Sequence, residues 1–358
     1  MATIGMPVIN IVFKQKAMDF RKRSLKGICA IILKDATVEG ESFIYNGSED
    51  VKENWSEENK RYLELIFAGS PTKVYVEKVG DLTPTLDTAL ENLSKKRWHY
   101  LCFPSAEVAD NTKLVSWIKT KRNIDRRIYK LVGGGLTTPD EKGIINFDTD
   151  NVVVDGNTYS KSQFTPRICG VVAGMPVDIS ATNYELEDVE SFDELANDTL
   201  KSEAIAQGKL ILTNDGERTT IARGVNSKTT ISKDEGDGFK KIRIVDTIDR
   251  IFEDIMDTVK LYYQGKKVNT YNNKLLLCGD ILSYLKELVA QNVLSPDTQV
   301  VCEINFEKQR EYLKSAGIDV EKMTDEQILK ANTGDNVFIR VASEATDVME
   351  DFEFDITV

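Results

Sequence analysis

KVYVEKV, residues 73–79, is a β-branched alternating segment, and its flanks decide the fold class. Before it, residues 56–69 set Tyr62, Leu63, Ile66 and Phe67 on one helical face and close on Gly69. After it, Thr83 and Pro84 read as an N-cap with proline in the first helical position. Leu86, Leu90 and Leu93 form the apolar stripe of the helix that follows. WHYLCF (98–103) is then a strand, 111–121 a helix with Leu114, Val115 and Ile118 inward, and 128–132 another strand. Strand and helix alternating at this spacing predict an α/β layer with parallel strands.

Upstream, the apolar run 28–33 is far too short to span a membrane and reads as a buried strand. Downstream, the pattern turns to hairpins. Asp155-Gly156 separates 151–154 from 158–159, and Asp215-Gly216 separates 210–213 from 218–223. Asp-Gly between β-branched runs is a strong hairpin signal. TPRICGVVAG (165–174) reads as a small-residue helix that packs closely against a neighbour, and 192–207 as a further helix.

The longest expected element covers 239–264. There Ile244, Val245, Ile248, Ile251, Phe252, Ile255, Val259 and Tyr262 recur at helical spacing before Gly265. A second amphipathic helix is expected over 281–291, a strand over 300–306 and a charged helix over 307–316. Thr324 with Gln327 makes a capping box for a last helix ending near Gly334, and 337–342 is a strand. KDEGDG (233–238) is the expected boundary or exposed loop.

The two ends carry opposite charge. PVINIVF (7–13) is β-branched, and residues 1–34 hold seven bases against one acid, Asp19. From Asp347 onward there are five acids and no base, and 348–358 alternates strictly. Glu350, Phe352, Phe354, Ile356 and Val358 share one parity; Asp351, Glu353, Asp355 and Thr357 share the other. An aromatic strand of this kind needs a sheet to join, supplied either by its own subunit or by another copy. Opposite charges across strands attract, which favours head-to-tail pairing between copies.

Composition narrows the function classes. The 358 residues are 41% hydrophobic and 29% charged, with a formal net charge of −12. An acidic chain without a segregated basic face is a poor nucleic-acid binder. No signal-peptide pattern opens it, and no run approaches a membrane span. Cys29, Cys102, Cys169, Cys278 and Cys302 are dispersed, with no CxxC, and read as buried small hydrophobes rather than as disulfides or zinc ligands. His99 is the only histidine and lies in the apolar strand 98–103, so histidine triads and multi-histidine metal sites are excluded. Gly133-Gly134-Gly135 follows a strand but lacks the spacing and the Lys-Ser/Thr pair of a phosphate loop, and reads as a turn. Asp246, Asp249, Glu253, Asp254 and Asp257 read as the solvated face of the long helix. No catalytic, cofactor-binding or metal-binding constellation results, and the chain reads as a non-enzyme.

In order, these elements resemble the contractile tail sheath proteins of bacteriophages and R-type bacteriocins (tailocins). PVINIVF followed by Lys26-Gly27 resembles that family's start. TPRICGVVAGMP (165–176) is similar to its alanine- and glycine-rich helix, and ARGVNSKTT (222–230) looks like its Gly-Val-Asn-Ser/Thr turn. The long helix running through Gln264-Gly265-Lys266 to Asn269 and the closing DFEFDITV resemble its C-terminal part. The likeness covers essentially the whole chain and is weakest over 307–334.

The resemblance implies an α/β (mixed α+β), multi-layer sheath core: an arm and first strand at 1–34, an outer α/β and hairpin-rich region at 35–236, a C-terminal helix-and-strand core at 237–346, and a strand arm at 347–358. It implies a structural subunit that stacks as hexameric rings in a helical tube around an inner tail tube protein. Baseplate and tail-terminator proteins are the other implied partners, in a virion tail or tailocin particle, and contraction without nucleotide drives the tube through an envelope. Val8, Ile9, Ile11, Val12 and Phe13 would form one inter-subunit arm, and Phe352, Phe354, Ile356 and Val358 the other. Lys308, Arg310 and Lys314 make 307–316 locally basic and are the candidate tube contact. Two other readings stay open: an α/β nucleotide- or sugar-phosphate-binding enzyme using Gly133–Gly135, and a sheath-like component of a secretion or injection system.

Overall fold

ICAIILK forms β1 (Ile28–Lys34), a strand buried on both faces, as a continuous apolar run in a parallel sheet should be. The computed structural model describes residues 27–80, 83–232 and 235–354. Its described residues divide into two units, one built from those within 27–246 together with 348–354 and the other from 247–347.

In the first unit the chain runs β1, β2 (Ser42–Tyr45), α1 (Glu57–Ala68), β3 (Lys73–Val79), α2 (Leu86–Ser94), β4 (Tyr100–Cys102), α3 (Val108–Asn123), β5 (Lys130–Gly134) and β6 (Ile144–Phe147). There follow β7 (Val152–Val154), β8 (Asn157–Tyr159), α4 (Thr165–Gly174), α5 (Asp198–Ala206), β9 (Lys209–Leu210), β10 (Leu212–Asn214) and β11 (Thr219–Ile221). Seven strands form one sheet in the order β2-β3-β1-β4-β5-β6-β9. All its pairings are parallel except β2 with β3. In register, Ile31 lies opposite Val76 on one side and Cys102 on the other.

Alternation along β1 separates two cores. Cys29, Ile31 and Leu33 join Leu63 and Ile66 of α1 and Ile168 and Val172 of α4. Ala30 and Ile32 join Leu90 and Leu93 of α2 and Leu114 and Ile118 of α3. The result is a helix–sheet–helix sandwich. On the second face Trp98 stacks on Tyr129 with ring centroids 3.9 Å apart. His99 accepts the Ile28 N–H on Nδ1 at 2.9 Å, a structural role.

The small residues of α4 have a specific use. A Cβ on Gly170 would lie 2.0 Å from the Ile66 carbonyl oxygen, and one on Gly174 would lie 1.8 Å from that of Gly69. Only hydrogen at those positions lets α4 reach α1 at this distance. At the other side of α4, Arg167 grips Asp188 with two bonds of 2.7 and 2.9 Å.

Both Asp-Gly hairpins form. Asp155 and Gly156 have φ of +48° and +68°, the paired positive values of a mirror-image two-residue turn. The β10–β11 hairpin closes over Asp215, whose Oδ1 accepts from the N–H groups of Glu217 and Arg218.

α6 (Ile242–Thr258) starts in the first unit and continues into the second, which adds α7 (Tyr271–Ala290), β12 (Val301–Ile304), α8 (Phe306–Ser315), α9 (Asp325–Lys330) and β13 (Ile339–Ala342). Leu277, Ile281, Leu285 and Leu294 make its main core, with Ile251, Ile255 and Cys302 against it. A satellite core of Leu313, Val320 and Ile328 holds α8 to α9. The Thr324–Gln327 capping box is present.

Several boundaries differ from the sequence reading. α2 starts under Thr85, not Thr83, because the Pro84 carbonyl is taken by the Gly80 N–H. The helix expected at 192–207 begins only at Asp198, where Asn197 caps it; upstream, Ser191 bridges to Val153. The element expected at 239–264 is a 3-10 turn (Asp237–Lys240), the α-helix α6 and a π-turn (Val259–Tyr263). α7 starts ten residues before the expected 281, because Thr270 caps it by accepting from the Asn273 N–H. Asp246 is not on a solvated face: it accepts from the Tyr100 hydroxyl at 2.6 Å and the buried Lys130 ammonium at 3.0 Å. Asp254 likewise accepts from the Tyr284 hydroxyl at 2.6 Å.

Candidate assembly surface

The region expected to form a terminal strand has no strand partner within the described part of its own chain. Residues 348–354 are not part of any strand; Ile356 and Val358 lie outside the described residues, as do Val8, Ile9, Ile11, Val12 and Phe13. A strand exists only with a neighbour to bond, so alternation alone does not make one.

What fixes this segment is Glu350. Its carboxylate accepts from Thr182 Oγ1 at 2.6 Å and Ser180 Oγ at 3.0 Å, and pairs with Lys241 at 3.0 Å and Arg223 at 3.3 Å. Asp351 holds the same Arg223 at 2.6 Å. The Glu350 side chain is only 6% exposed. Burial alone would raise its pKa, but the Thr182 hydroxyl and Lys241 ammonium outweigh it and hold the carboxyl below its ordinary 4.5.

Two and four residues beyond the anchor, Phe352 and Phe354 stack on each other, centroids 6.0 Å apart and planes within 4°. They are 63% and 77% exposed. Two parallel, same-parity phenylalanines in water, held beside an ionic anchor, form an apolar face presented outward.

In the second unit, β12 and β13 pair antiparallel, with Cys302 opposite Val341 and Glu303 opposite Arg340. Among the described residues each of these strands has a single neighbour, so each keeps an open edge. Of the three bases singled out on the charged helix, Lys308 and Lys314 are exposed on α8, and Arg310 is bound to Glu321 at 2.9 Å. Helical spacing sets Arg310 and Lys314 on neighbouring positions and Lys308 on another face.

Gly133–Gly135 does not make a phosphate cradle. Gly133 and Gly134 end β5, paired to β6, and Gly135 turns with φ +62°. A Cβ on Gly134 would meet the Ser162 nitrogen at 2.5 Å, so the glycines are filled by protein. The adjoining cleft of about 580 Å³ lies at the start of α3, where Glu107 and Asp110 already satisfy the helix end, and Lys161 is bound to Asp148 at 2.7 Å. A phosphate there would face carboxylates. Among the described residues no group of three or more His, Cys, Asp or Glu is placed to hold a metal, and no helix is long and apolar enough to cross a membrane.

Glu350 gives a direct expectation. Because its folded pKa is depressed, its anchoring is complete above pH 4.5 and is lost as pH falls through the lower folded value. Glu350→Gln should mimic the acid state at neutral pH. Loss of charge-assisted bonds worth about 1.5–3 kcal/mol should release the segment, read as roughly 10- to 100-fold faster limited proteolysis within 348–354. Unchanged cleavage in Glu350→Gln would show that the segment is held by something else.

The phage tail sheath protein central domain matches residues 80–227 and the phage tail sheath C-terminal domain matches 234–358. The tail sheath protein of Clostridium phage phiCD119 is 37% identical over 97% of this chain and 98% of its own. Among solved structures, the sheath tail protein of Listeria innocua superposes with a TM-score of 0.72 at 15% identity, covering 94% of this chain and 99% of that one. The helical sheath of the anti-feeding prophage in its contracted state gives 0.70 at 14% identity, covering 94% and 93%.

Proposed function

The chain belongs to the phage tail sheath protein family, the structural and non-enzymatic subunits of contractile tails, and on that premise we propose how its copies join. Subunits stack as hexameric rings in a helical sheath around an inner tail tube. The 348–358 arm of one copy adds as a strand to the open edge of β12–β13 in a neighbour, and the arm at 7–13 completes the same small sheet. Main-chain hydrogen bonds join the subunits while Phe352 and Phe354 leave water against the neighbour. A contact of this head-to-tail kind does not close on itself and so builds a helical tube.

The observation that carries this reading is the exposed Phe352–Phe354 stack on a segment anchored at Glu350. Such an arrangement keeps the arm's root on its own body and its apolar face available to another. The arm stays attached while the bodies move outward, so contraction proceeds from stored conformational energy without nucleotide. Baseplate and terminator proteins cap the two ends. Likeness in fold to the contracted helical sheath of the anti-feeding prophage supports a helical sheath for this chain.

The tube-facing surface is assigned to α8. Reversing charge at Lys308, Arg310 and Lys314 should leave tube-free polymers intact, seen as hollow cylinders by electron microscopy, and block assembly on purified tubes. Unchanged assembly on tubes at moderate salt would remove α8 from that role.

A further inference from the structure

The two ends of α3, a helix of 16 residues, stand roughly 24 Å apart and carry opposite charge. Each end also shows water a large apolar side chain. Val108, the first helical residue, is 84% exposed, and Ile124, which caps the far end, is 73% exposed.

At the far end Ile124 opens a turn that main-chain bonds hold in place. The Ile124 and Asp125 N–H groups donate to the Thr120 carbonyl at 2.9 and 3.3 Å, and the Arg127 N–H donates to that of Lys121 at 2.9 Å. Arg126 has φ +53°, a left-handed backbone that glycine adopts at less cost. Arg126 and Arg127 are both exposed, and neither makes an ion pair among the described residues. The helix dipole accounts for bases in the last turn, where Lys121 pairs with Asp125 and Arg122 donates to the Tyr129 carbonyl. It does not account for two arginines beyond the helix beside an isoleucine in water.

At the near end Val108 lies on the cleft of about 580 Å³, which Ala106, Ala109, Gly134 and Ser162 also line. Glu107, 79% exposed, and Asp110 share a single base there, Lys34, at 3.2 and 3.7 Å. Lys161 in the cleft wall is offset by Asp148 at 2.7 Å, which also holds Lys209 at 2.8 Å, and by Asp150 at 3.9 Å. The cleft therefore refuses an anion and suits an apolar side chain followed by a cation. A space of this size takes an isoleucine and the stem of an arginine.

Resting on the reading that copies of this chain polymerise, we propose a second contact between them, separate from the arms. The Ile124–Arg127 turn of one copy enters the cleft of the next, with Ile124 against Val108 and Ala106 and the two arginines at Glu107 and Asp110. Another copy is the occupant because this one chain carries both the knob and a socket of complementary charge. An apolar contact inside a charged rim is sound interface anatomy, and the charges set register and partner more than affinity. Knob and socket are opposite ends of one helix, so the contact runs head-to-tail and adds copies without closing on itself.

Full-length protein carrying Val108→Cys with Ile124→Cys tests this. In one chain the two positions are too far apart to bond, so a disulfide between them joins copies. Mild oxidation with copper phenanthroline should give a ladder of dimers, trimers and higher species on a non-reducing gel, collapsed by dithiothreitol. Either single variant should give nothing beyond a dimer. Arg126→Glu with Arg127→Glu should raise the concentration for half-polymerisation roughly 3- to 30-fold at low salt. That gap should close at about 0.5 M salt, where exposed charges are screened. Absence of the ladder, or a ladder in a single variant, overturns the contact. Cylinders without a ladder leave the arm reading standing, whereas a ladder without cylinders removes the arm reading and keeps this contact. Retention on heparin that Arg126→Glu with Arg127→Glu abolishes, again without a ladder, assigns the turn to an anionic polymer and overturns the proposal.

Discussion

Deleting residues 348–358 is expected to leave a soluble, folded subunit that no longer polymerises. Neither buried core of the first unit contains a described residue from this segment. The groups it leaves behind have other partners or reach water: Thr182 Oγ1 still accepts from the Gly224 N–H at 2.9 Å, and Arg223 and Lys241 are already 33% and 26% exposed. What is lost is the apolar face. Burying two phenylalanines contributes about 1.5–3 kcal/mol each, so each inter-subunit joint should weaken by about 10²- to 10⁴-fold. Size-exclusion chromatography with circular dichroism checks both halves of the expectation. Phe352→Asp with Phe354→Asp, which keeps Glu350, should give the same loss of polymer. An unfolded truncation would place the segment in its own subunit's core.

Gly170 is a residue whose replacement should cost much stability. Its missing side chain is occupied by the Ile66 carbonyl, 2.0 Å from where a Cβ would stand, and both partners are backbone that cannot swing aside. Gly170→Val must push α4 off α1 and open the core containing Ile66, Ile168 and Val172. A loss of about 3 kcal/mol or more is expected, a fall in Tm on the order of 10 °C, with little soluble protein at the extreme. Gly279 is the control. It lies in α7 with nothing within 4 Å of its would-be Cβ, so Gly279→Ala should stabilise by about 1 kcal/mol through helix propensity. Equal effects at the two positions in a thermal melt would contradict the close-approach argument.

Much of this fold is legible in the residues. KVYVEKV matches β3 end to end, and TPRICGVVAG matches α4, because β-branched alternation and small-residue clustering each have one structural use. Periodicity fails where the partner, not the segment, decides. The carboxylates of α6 look like a solvated face until Tyr100, Lys130 and Tyr284 are brought to them from distant elements. α7 was half hidden because Cys278 and Gly279 interrupt its pattern, while its cap, Thr270, lies well upstream. The terminal segment shows the same limit. Parity groups Glu350 with Phe352 and Phe354, but the chain uses that carboxylate as an anchor, through Ser180, Thr182 and Lys241, none of which is near it in sequence. The basic residues of α8 are countable in the sequence, whereas the bond between Arg310 and Glu321 needs the turn that follows the helix.

The central claim is that the arm of one subunit completes the β12–β13 sheet of another. Electron cryomicroscopy of the purified polymer, at a resolution that traces the main chain from Glu350 to the end of the arm, tests it most directly. The account predicts hollow cylinders in which that segment runs as a third strand beside β12–β13 of an adjacent subunit, with Phe352 and Phe354 covered. A segment folded back as a strand on its own subunit, or cylinders joined through other surfaces with the two phenylalanines still in water, would contradict it.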